Sequence, residues 1–297
     1  MTATTERPGE MTATGERPTR RRGREKTLAA WLLVGPYVVF LAAFGLAPAL
    51  YGLWESLGHW GGVITDYRLG DAVRNVALYL VLWLPILVLL VLSLALTLHV
   101  KPSRFGAVMR FVYYLPGAVT GSAAALLWLF MISPAVSPFG PLLNVFGAEP
   151  LRGDTLVWVL VVMGVAIHAG GWVVVLYGAL TALPRDVLEA ASVDGATSWR
   201  STWHIKLPLV RKYVAFVVIT SFASGSQVFV EPTVLGTGAP GQISPTWSVN
   251  QLAYFFATQE GDFGRAAALS MIMLLVGLAA ALVVIYRTRF YRTGEAE

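Results

Sequence analysis

The polar residues between Leu183 and Pro208 have types and spacings that favour a mechanical role over covalent chemistry. Asp186 and Glu189 stand three residues apart, the spacing of a capping box in which Asp186 would supply the N-cap oxygen. Gly195 then stands where a helix commonly ends in a left-handed residue. The pattern predicts a short helix of about two turns, with small alanines along one face. Such a face fits deep into a groove of a partner.

Thr197 has the residue type that begins a second helix, and we expect Pro208 to end it. The two helices would form a bracket fixed at both ends to long apolar segments. The residues alone leave a second interpretation open, in which this is an amphipathic surface loop with ordinary caps.

The rest of the sequence indicates a polytopic membrane protein. Only 13% of the 297 residues are charged and 56% are hydrophobic, whereas soluble domains are about 25% charged. Apolar segments of this length satisfy their backbone polar groups in lipid only as helices. Pro116 and Gly117 predict a kink within the third segment. The predicted spans are 28–50, 73–99, 107–132, 155–181, 212–231 and 265–286.

The distribution of basic residues predicts the orientation. Of the 22 Lys and Arg residues, 18 fall on one side if both termini are cytoplasmic. The other side then holds only Arg68, Arg74, Arg152 and Arg265. This asymmetry predicts six spans with both termini inside. Residues 27–290 form the predicted transmembrane domain, with its cytoplasmic loop at 182–211, between a disordered basic tail, 1–26, and a short tail, 291–297.

Two outer features have alternative interpretations. Ala47-Pro48-Ala49 imitates a signal-peptide cleavage site, but the preceding apolar stretch exceeds a signal core, so we expect an uncleaved helix. The segment from Val249 to Thr258 is amphipathic and would lie on the membrane surface. No outer loop is long enough to form a receptor domain, so a high-affinity receptor would be a separate chain.

Several activities are disfavoured by what the sequence lacks. Because it contains no cysteine, it has neither disulfides nor cysteine-based metal or catalytic sites. It also lacks the phosphate-binding motif GxxxxGK[ST], which disfavours a P-loop ATPase. No nucleophile and base stand in a convincing arrangement, and the basic residues serve topology better than nucleic-acid binding. We therefore expect a subunit that is not itself an enzyme.

The loop resembles the coupling loop of binding-protein-dependent ABC importer permeases, whose pattern runs approximately EAAxxDGAxxxxxFxxIxLP. The aromatic position falls on Thr202-Trp203, and we assign it to Trp203. The stretches GPYVVFLAAFGLAPALYGLWESL, FGPLLNVFG and DFGRAAALS resemble carbohydrate permeases of the maltose and glycerol-3-phosphate importer type. The stretch VLGTGAPG also resembles a loop of these permeases, but Gly236 stands where they have Thr and Ala239 where they have Gly. The loop residues that match are Glu189, Ala190, Ala191, Asp194, Gly195, Ala196, Ile205, Leu207 and Pro208.

The resemblance implies an all-α integral membrane protein with the type I ABC importer permease fold, located in the bacterial inner membrane. It implies half of a pathway for a sugar or oligosaccharide, completed by a second permease. A dimeric ATPase, which binds the ATP and Mg, and an extracytoplasmic sugar-binding protein would be the other partners; this chain would bind no cofactor or metal. Glu189 would either pair with a basic residue of the ATPase groove or cap its own helix. The rival functions are an importer of another solute, a stand-alone secondary transporter, a membrane enzyme or a passive structural protein.

Related permeases place their pocket midway along the two helices that flank the loop. We locate the corresponding positions in this chain by counting from Glu189. They include Gly164 and Val228, which have no polar side chain. The alternative role for Ser221 and the glycines is packing between helices. The alternative role for Trp172 and Tyr177 is contact with lipid. The candidate pathway residues are His168, Gly171, Trp172, Tyr177, Ser221, Ser224, Gly225 and Gln227.

Overall fold

The computed structural model describes residues 31–100, 104–119, 121–133, 136–140, 151 and 155–288. The predicted tails 1–26 and 291–297 lie outside these residues, as does most of the FGPLLNVFG stretch. The chain divides into two compact units, 1–51 and 52–297. The described part of the first unit, 31–51, is helical, includes a π-helical segment Leu41–Leu46, and has side chains that are almost all exposed.

The described residues form helices, as predicted, in the following order. They are α1 (Trp31–Ser56), α2 (Trp60–Ile64), α3 (Tyr67–Val100), α4 (Arg104–Ala118), α5 (Gly121–Ile132), α6 (Thr155–Thr181), α7 (Arg185–Val193), α8 (Ser198–Ser226), α9 (Val230–Gly238), α10 (Val249–Thr258) and α11 (Phe263–Thr288).

Five of these helices are long and apolar enough to cross a membrane, and the bent pair α4–α5 brings the number to six. The two helices are bent by 102° at the break between Ala118 and Gly121, just beyond the predicted kink. Pro116 itself stays inside α4. Gly121 has a φ of 61°, a left-handed conformation that glycine adopts at low cost. The predicted span 212–231 corresponds to α8, which begins 14 residues earlier and ends at Ser226.

The core of the second unit is built around α6, which packs against α3, α4 and α8. Glycines bring these helices together. A Cβ on Gly170 would lie 2.1 Å from the Tyr113 carbonyl oxygen, and one on Gly117 would lie 2.5 Å from that of Ile167. The backbones of α4 and α6 therefore touch at two points, as membrane helices with small residues at their interface can.

The segment Val249–Thr258 is a helix whose apolar face packs on protein; its position at the membrane surface stays a prediction. Ser248 and Gln251 form a full capping box at its start. Leu252 and Phe256 are completely buried, and α10 contacts α3 and α11. The amphipathic pattern was correctly read as a helix, but a pattern on one helix does not say whether lipid or protein covers its apolar face.

An ionic cluster joins the start of α3 to the turn between α10 and α11. Arg68 Nη2 lies 2.7 Å from Asp66 Oδ2 and 2.8 Å from Glu260 Oε1. Arg265 Nε lies 2.7 Å from Asp262 Oδ2, and Arg265 also pairs with Glu260. Both guanidinium groups stand over the Phe256 ring, at 5.3 and 4.6 Å from its centroid. The cluster fixes the end of the bundle that carries the α10–α11 turn.

We predict that Gly170→Ala destabilises the fold and that its neighbour Gly171→Ala does not. The new methyl at position 170 would collide with backbone of α4, whereas a Cβ at position 171 meets nothing within 4 Å. Overpacking of this kind costs about 1–3 kcal/mol. Thermal unfolding of the purified chain in detergent should show a melting temperature lowered by several degrees for Gly170→Ala alone. Equal melting temperatures for the two variants would contradict the close approach of α4 and α6.

The ionic cluster should make stability fall in acid. Hydrogen bonds from the Arg68 guanidinium lower the pKa of Asp66, and bonds from the Arg265 backbone N–H and guanidinium lower the pKa of Asp262. Stability from such groups is complete above the ordinary carboxyl pKa of about 4 and is lost as pH falls through the lowered folded-state values. Asp66→Asn should lower the melting temperature at pH 7 and shrink its decline below pH 4. The exposed Asp71→Asn is the control, and an unchanged acid profile in Asp66→Asn would be the contrary result.

Candidate functional site

The loop between α6 and α8 begins with a short helix, as predicted. Helix α7 has nine residues and ends at Val193, after which Gly195 turns the chain with a φ of 76°. The Gly195 N–H donates to the Ser192 carbonyl oxygen and the Ala196 N–H to that of Ala191. These bonds satisfy carbonyl groups that the helix end leaves free. Glycine is the residue that allows this reversal without strain.

The predicted cap at the start of α7 is wrong by two residues. The N-cap is Pro184, which makes no side-chain cap bond, and Asp186 lies in the first turn. Proline has φ fixed near the value that a helix entry needs, so it begins the helix without a polar cap. Because Pro184 lacks an N–H, Glu189 cannot complete a capping box with it. The alternative in which Glu189 caps its own helix therefore has no support in the geometry.

The second arm of the loop begins at the predicted residue but does not end at the predicted proline. Thr197 Oγ1 accepts a hydrogen bond of 3.3 Å from the Arg200 backbone N–H. The helix then continues past Pro208 to Ser226 through a π-helical segment, Thr202–Lys206, where the Leu207 N–H bonds back to Thr202 O. The wider turn accommodates a proline ring that would collide with the carbonyl of a regular α-helix.

The loop exposes apolar side chains along one face of α7, and the exposed Asp186 lies on the same face. Val187, Ala190 and Val193 follow one another at three-residue spacing and are all exposed, while Ala191 is buried. Glu189 is exposed and makes no ion pair within the described part of the chain. Of the other matched positions, Asp194, Gly195 and Pro208 are exposed, and Ala196, Ile205 and Leu207 are half-buried. The face and the adjacent carboxylate are available to a partner.

A cavity of about 260 Å³ lies among α3, α6, α8 and the start of α9. Four of the predicted pathway residues line it: His168, Ser224, Gly225 and Gln227. The other four do not. Gly171 faces open space, and Trp172 packs edge-on against Phe216. Ser221 is buried on α8, and Tyr177 lies on α6 more than two turns beyond His168.

Two aromatic residues of α3 complete one wall of the cavity. Tyr79 and Trp83 stack with centroids 5.3 Å apart, and the His168 ring meets Trp83 edge-on at 5.4 Å. His168 Nδ1 lies 2.8 Å from Gly164 O, which fixes the ring's orientation. Sequence analysis missed Tyr79, Trp83 and Glu231, the charged residue in the lining. A tyrosine and a tryptophan at i and i+4 inside an apolar span were the available signal.

Trp83 is held between glycines of the two helices that flank the loop. A Cβ on Gly164 of α6 would lie 2.7 Å from Trp83 Nε1, and one on Gly225 of α8 would lie 2.6 Å from Trp83 Cζ3. Among the described residues, Trp83 Nε1 and Ser221 Oγ are buried polar atoms without a hydrogen-bond partner. Gly225 lines the cavity and also packs against Trp83, so it has both roles that the sequence suggested.

The described residues contain no group of three or more His, Cys, Asp or Glu side chains arranged to hold a metal ion. The cavity instead combines aromatic faces with an imidazole, a hydroxyl, an amide and a carboxylate. Aromatic faces with a few hydrogen-bonding groups are suited to a polar ligand that has apolar faces, as sugars have.

Comparison with known proteins connects the loop and the cavity to one family. Residues 67–292 match the family described as "Binding-protein-dependent transport system inner membrane component". The arabinooligosaccharides transport system permease protein AraP of Halalkalibacterium halodurans is 23% identical over 283 residues, which cover 89% of each chain. The osmoprotective compounds uptake permease protein GgtC of Synechocystis is 27% identical over 267 residues, covering 82% of this chain and 93% of the relative.

Among solved structures, a chain from a bacterial alginate ABC transporter, in complex with an alginate pentasaccharide-bound periplasmic protein, has the same fold. Its TM-score is 0.78 at 21% identity, with 94% of this chain and all of the other chain covered. The predicted importer-permease fold is therefore confirmed. The family match extends over most of the chain and includes both the loop and the cavity, so the protein belongs to the inner membrane components of binding-protein-dependent transport systems.

Proposed function

We propose that this chain is a non-catalytic permease subunit that forms half of the translocation pathway of an ATP-driven importer for a sugar or oligosaccharide. A second permease completes the pathway, a dimeric ATPase that binds ATP and Mg drives it, and an extracytoplasmic binding protein delivers the solute. Both termini and α7 face the cytoplasm. The observation that carries the proposal is the position of the cavity, which lies between the same two helices that the loop joins.

The exposed face of α7 supports a contact with the ATPase. Val187, Ala190 and Val193 form an apolar stripe without a partner in the described part of the chain, and Glu189 stands beside it. Small and β-branched side chains let a helix approach a groove closely, and a carboxylate beside them can pair with a basic groove residue. Since α7 is tied to α6 by Pro184 and to α8 by Gly195 and Thr197, a displacement of α7 moves both helices.

The lining of the cavity supports a sugar as the solute. Tyr79 and Trp83 offer aromatic faces, and His168, Ser224 and Gln227 offer donors and acceptors. Glu231 carries the one charge in this lining. A carboxylate there disfavours an anionic solute and suits hydroxyl groups. The relative named for arabinooligosaccharides agrees with this solute class, and the relative named for osmoprotective compounds gives the second candidate.

The contact with the ATPase is tested by bulk added to α7. We expect Ala190→Trp to reduce the ATPase that co-purifies with this chain by tenfold or more, because a large ring prevents the stripe from entering a groove. Ser192→Trp is the matched control, since position 192 lies on the opposite side of the same exposed helix. Quantitative mass spectrometry of the tagged complex gives the ratio. Equal ATPase recovery for both variants would exclude α7 as the docking element.

The pathway is tested by uptake in reconstituted vesicles. We expect His168→Leu and Gln227→Ala to lower solute uptake several-fold, because each removes a hydrogen-bonding group from the cavity. ATP hydrolysis stimulated by the loaded binding protein should persist, since coupling is intact. Ser270→Ala on α11 is the control, because that hydroxyl bonds only within its own helix, to Ala266 O at 2.9 Å. Wild-type uptake in both cavity variants would place the pathway elsewhere, and uptake of an osmoprotective compound but no sugar would favour the second candidate.

A further inference from the structure

A hollow of about 490 Å³ lies where α3 begins, beside the ionic cluster. A neighbouring hollow of about 370 Å³ shares Ser244, Pro245 and Phe255 with it, and shares Phe229 with the cavity described above. We call these two hollows together the vestibule. Both have the size of small-ligand pockets, about 300–1,000 Å³. Since each space shares wall residues with the next, the vestibule and the cavity form one row.

One line of side chains on α3 runs from the vestibule into the cavity. Asp71 and Asn75 line the vestibule, and Tyr79 and Trp83 line the cavity. These four residues follow one another at four-residue spacing, so each stands beside the next on the surface of the helix. At 1.5 Å per residue the line extends over about 18 Å. One sugar ring cannot contact both ends of it, whereas a chain of several sugar units can.

The larger hollow of the vestibule contains both a cation and an anion. The Arg68 guanidinium is held by Asp66 through Nε and Nη2 and by Glu260 through Nη2. A guanidinium has five N–H donors, more than these three contacts use. Asp71 is exposed and forms no ion pair with any residue that the structure describes. A charged solute would meet a like charge here, whereas neutral hydroxyl groups can accept from Arg68 and donate to Asp71.

Aromatic rings and hydroxyl groups complete the wall of this hollow. Tyr67 and Trp247 contribute the rings, and the Trp247 carbonyl oxygen accepts a hydrogen bond of 3.1 Å from Asn75 Nδ2. This bond fixes the wall against α3. The Ser244 and Thr246 hydroxyl oxygens lie 3.0 Å apart and line the same hollow. Aromatic rings beside fixed donors and acceptors suit the apolar faces and the hydroxyl groups of a sugar.

We propose that the vestibule is a second sugar subsite, which acts with the cavity to select an oligosaccharide over a single sugar unit. This inference rests on the proposed function and narrows it from any sugar to a chain of sugar units. One unit occupies the cavity, and the following units lie along α3 towards Asp71 and Arg68. A monosaccharide in the cavity makes none of the contacts in the vestibule, so it binds more weakly.

Thiol protection provides the test, because the chain contains no cysteine of its own. Thr246→Cys places one thiol in the vestibule, and Ser224→Cys places one in the cavity. Each variant is assembled with the second permease and the ATPase in nanodiscs and treated with a water-soluble maleimide. The sugars are glucose and maltotriose, xylose and xylotriose, and N-acetylglucosamine and its trimer. Thr65→Cys, which is exposed and lines neither space, is the control that should react at one rate throughout.

We expect one of the trimers to slow the modification of both thiols. Mass action makes this effect about threefold when the trimer is present at twice its dissociation constant. The matching monosaccharide should slow only the thiol at position 224. Mass spectrometry of the chain after timed quenching gives the rates, and melting temperatures in detergent confirm that each variant remains folded.

Two further variants separate binding in the vestibule from shielding by a sugar that occupies only the cavity. Asp71→Ala, added to each thiol variant, should weaken protection by the trimer at both positions, because the carboxylate no longer accepts from its hydroxyl groups. Protection of position 224 by the monosaccharide should not change. Arg74→Ala is the matched control, since Arg74 is exposed on the same helix and does not line the vestibule.

The inference fails if the trimer protects only position 224, because the vestibule then holds no sugar. It fails equally if the monosaccharide protects both positions, or if Asp71→Ala leaves protection by the trimer unchanged. A thiol at position 246 that does not react even without sugar would show that a partner subunit covers the vestibule, which also overturns the inference. The absence of protection at both positions by all the sugars would instead contradict the proposed function, because the cavity would then bind no sugar.

Discussion

The insertion of Trp83 between two glycines determines how the second unit is organised. Its indole has Gly164 of α6 on one side and Gly225 of α8 on the other, each so close that a Cβ would overlap the ring. A fully buried tryptophan contributes a large area of contact, and glycine removes the side chains that would keep the helices apart. In a lipid environment the hydrophobic effect does not press helices together, so this close fit sets the separation of α6 and α8. The cavity is the space left beside that contact.

The same contact relates the loop to the cavity. His168 lies on α6 about 20 Å from the end of that helix at Thr181, at 1.5 Å per residue. Ser224 and Gln227 lie at the far end of α8, whose first turn is capped by Thr197. A rigid bracket joins the near ends of both helices, and Trp83 of α3 separates them further along. In the proposed importer, movement of the bracket would tilt α6 and α8 about Trp83 and alter the cavity walls. A long helix transmits such a tilt because its backbone hydrogen bonds are internal.

Sequence patterns predicted the features that are decided locally. Apolar length identified the spans, the position of Gly195 predicted the left-handed turn, and Thr197 predicted the start of α8. The errors concern the two prolines that flank the loop. Pro208 continues a helix instead of ending it because the π-helical turn before it gives room for its ring. Asp186 has the residue type of a cap, yet Pro184 already begins the helix.

The composition of the cavity could be predicted only in part. The spacing from Glu189 led to His168, Gly225 and their neighbours because these residues lie on the helices that continue the loop. Tyr79 and Trp83 are more than 100 residues before Glu189, and no local pattern indicates that α3 lies against α6 and α8. Likewise, no local pattern brings Glu231 into the lining, since the return of α9 towards the cavity depends on packing against α5.

The two ends of α3 differ in how firmly they are held, and this difference suits a gate. At one end, Arg68 and Arg265 share three carboxylates across the α10–α11 turn, and Phe256 is buried beneath both guanidinium groups. At the other end, where Leu96 faces Trp203, an apolar groove of about 490 Å³ separates α3 from α8 among the described residues. Packed helices resist displacement in proportion to the contacts they would lose. Relative movement of α3 and α8 is therefore least costly at the end where the loop enters, which is where the ATPase of the proposed importer would apply its force.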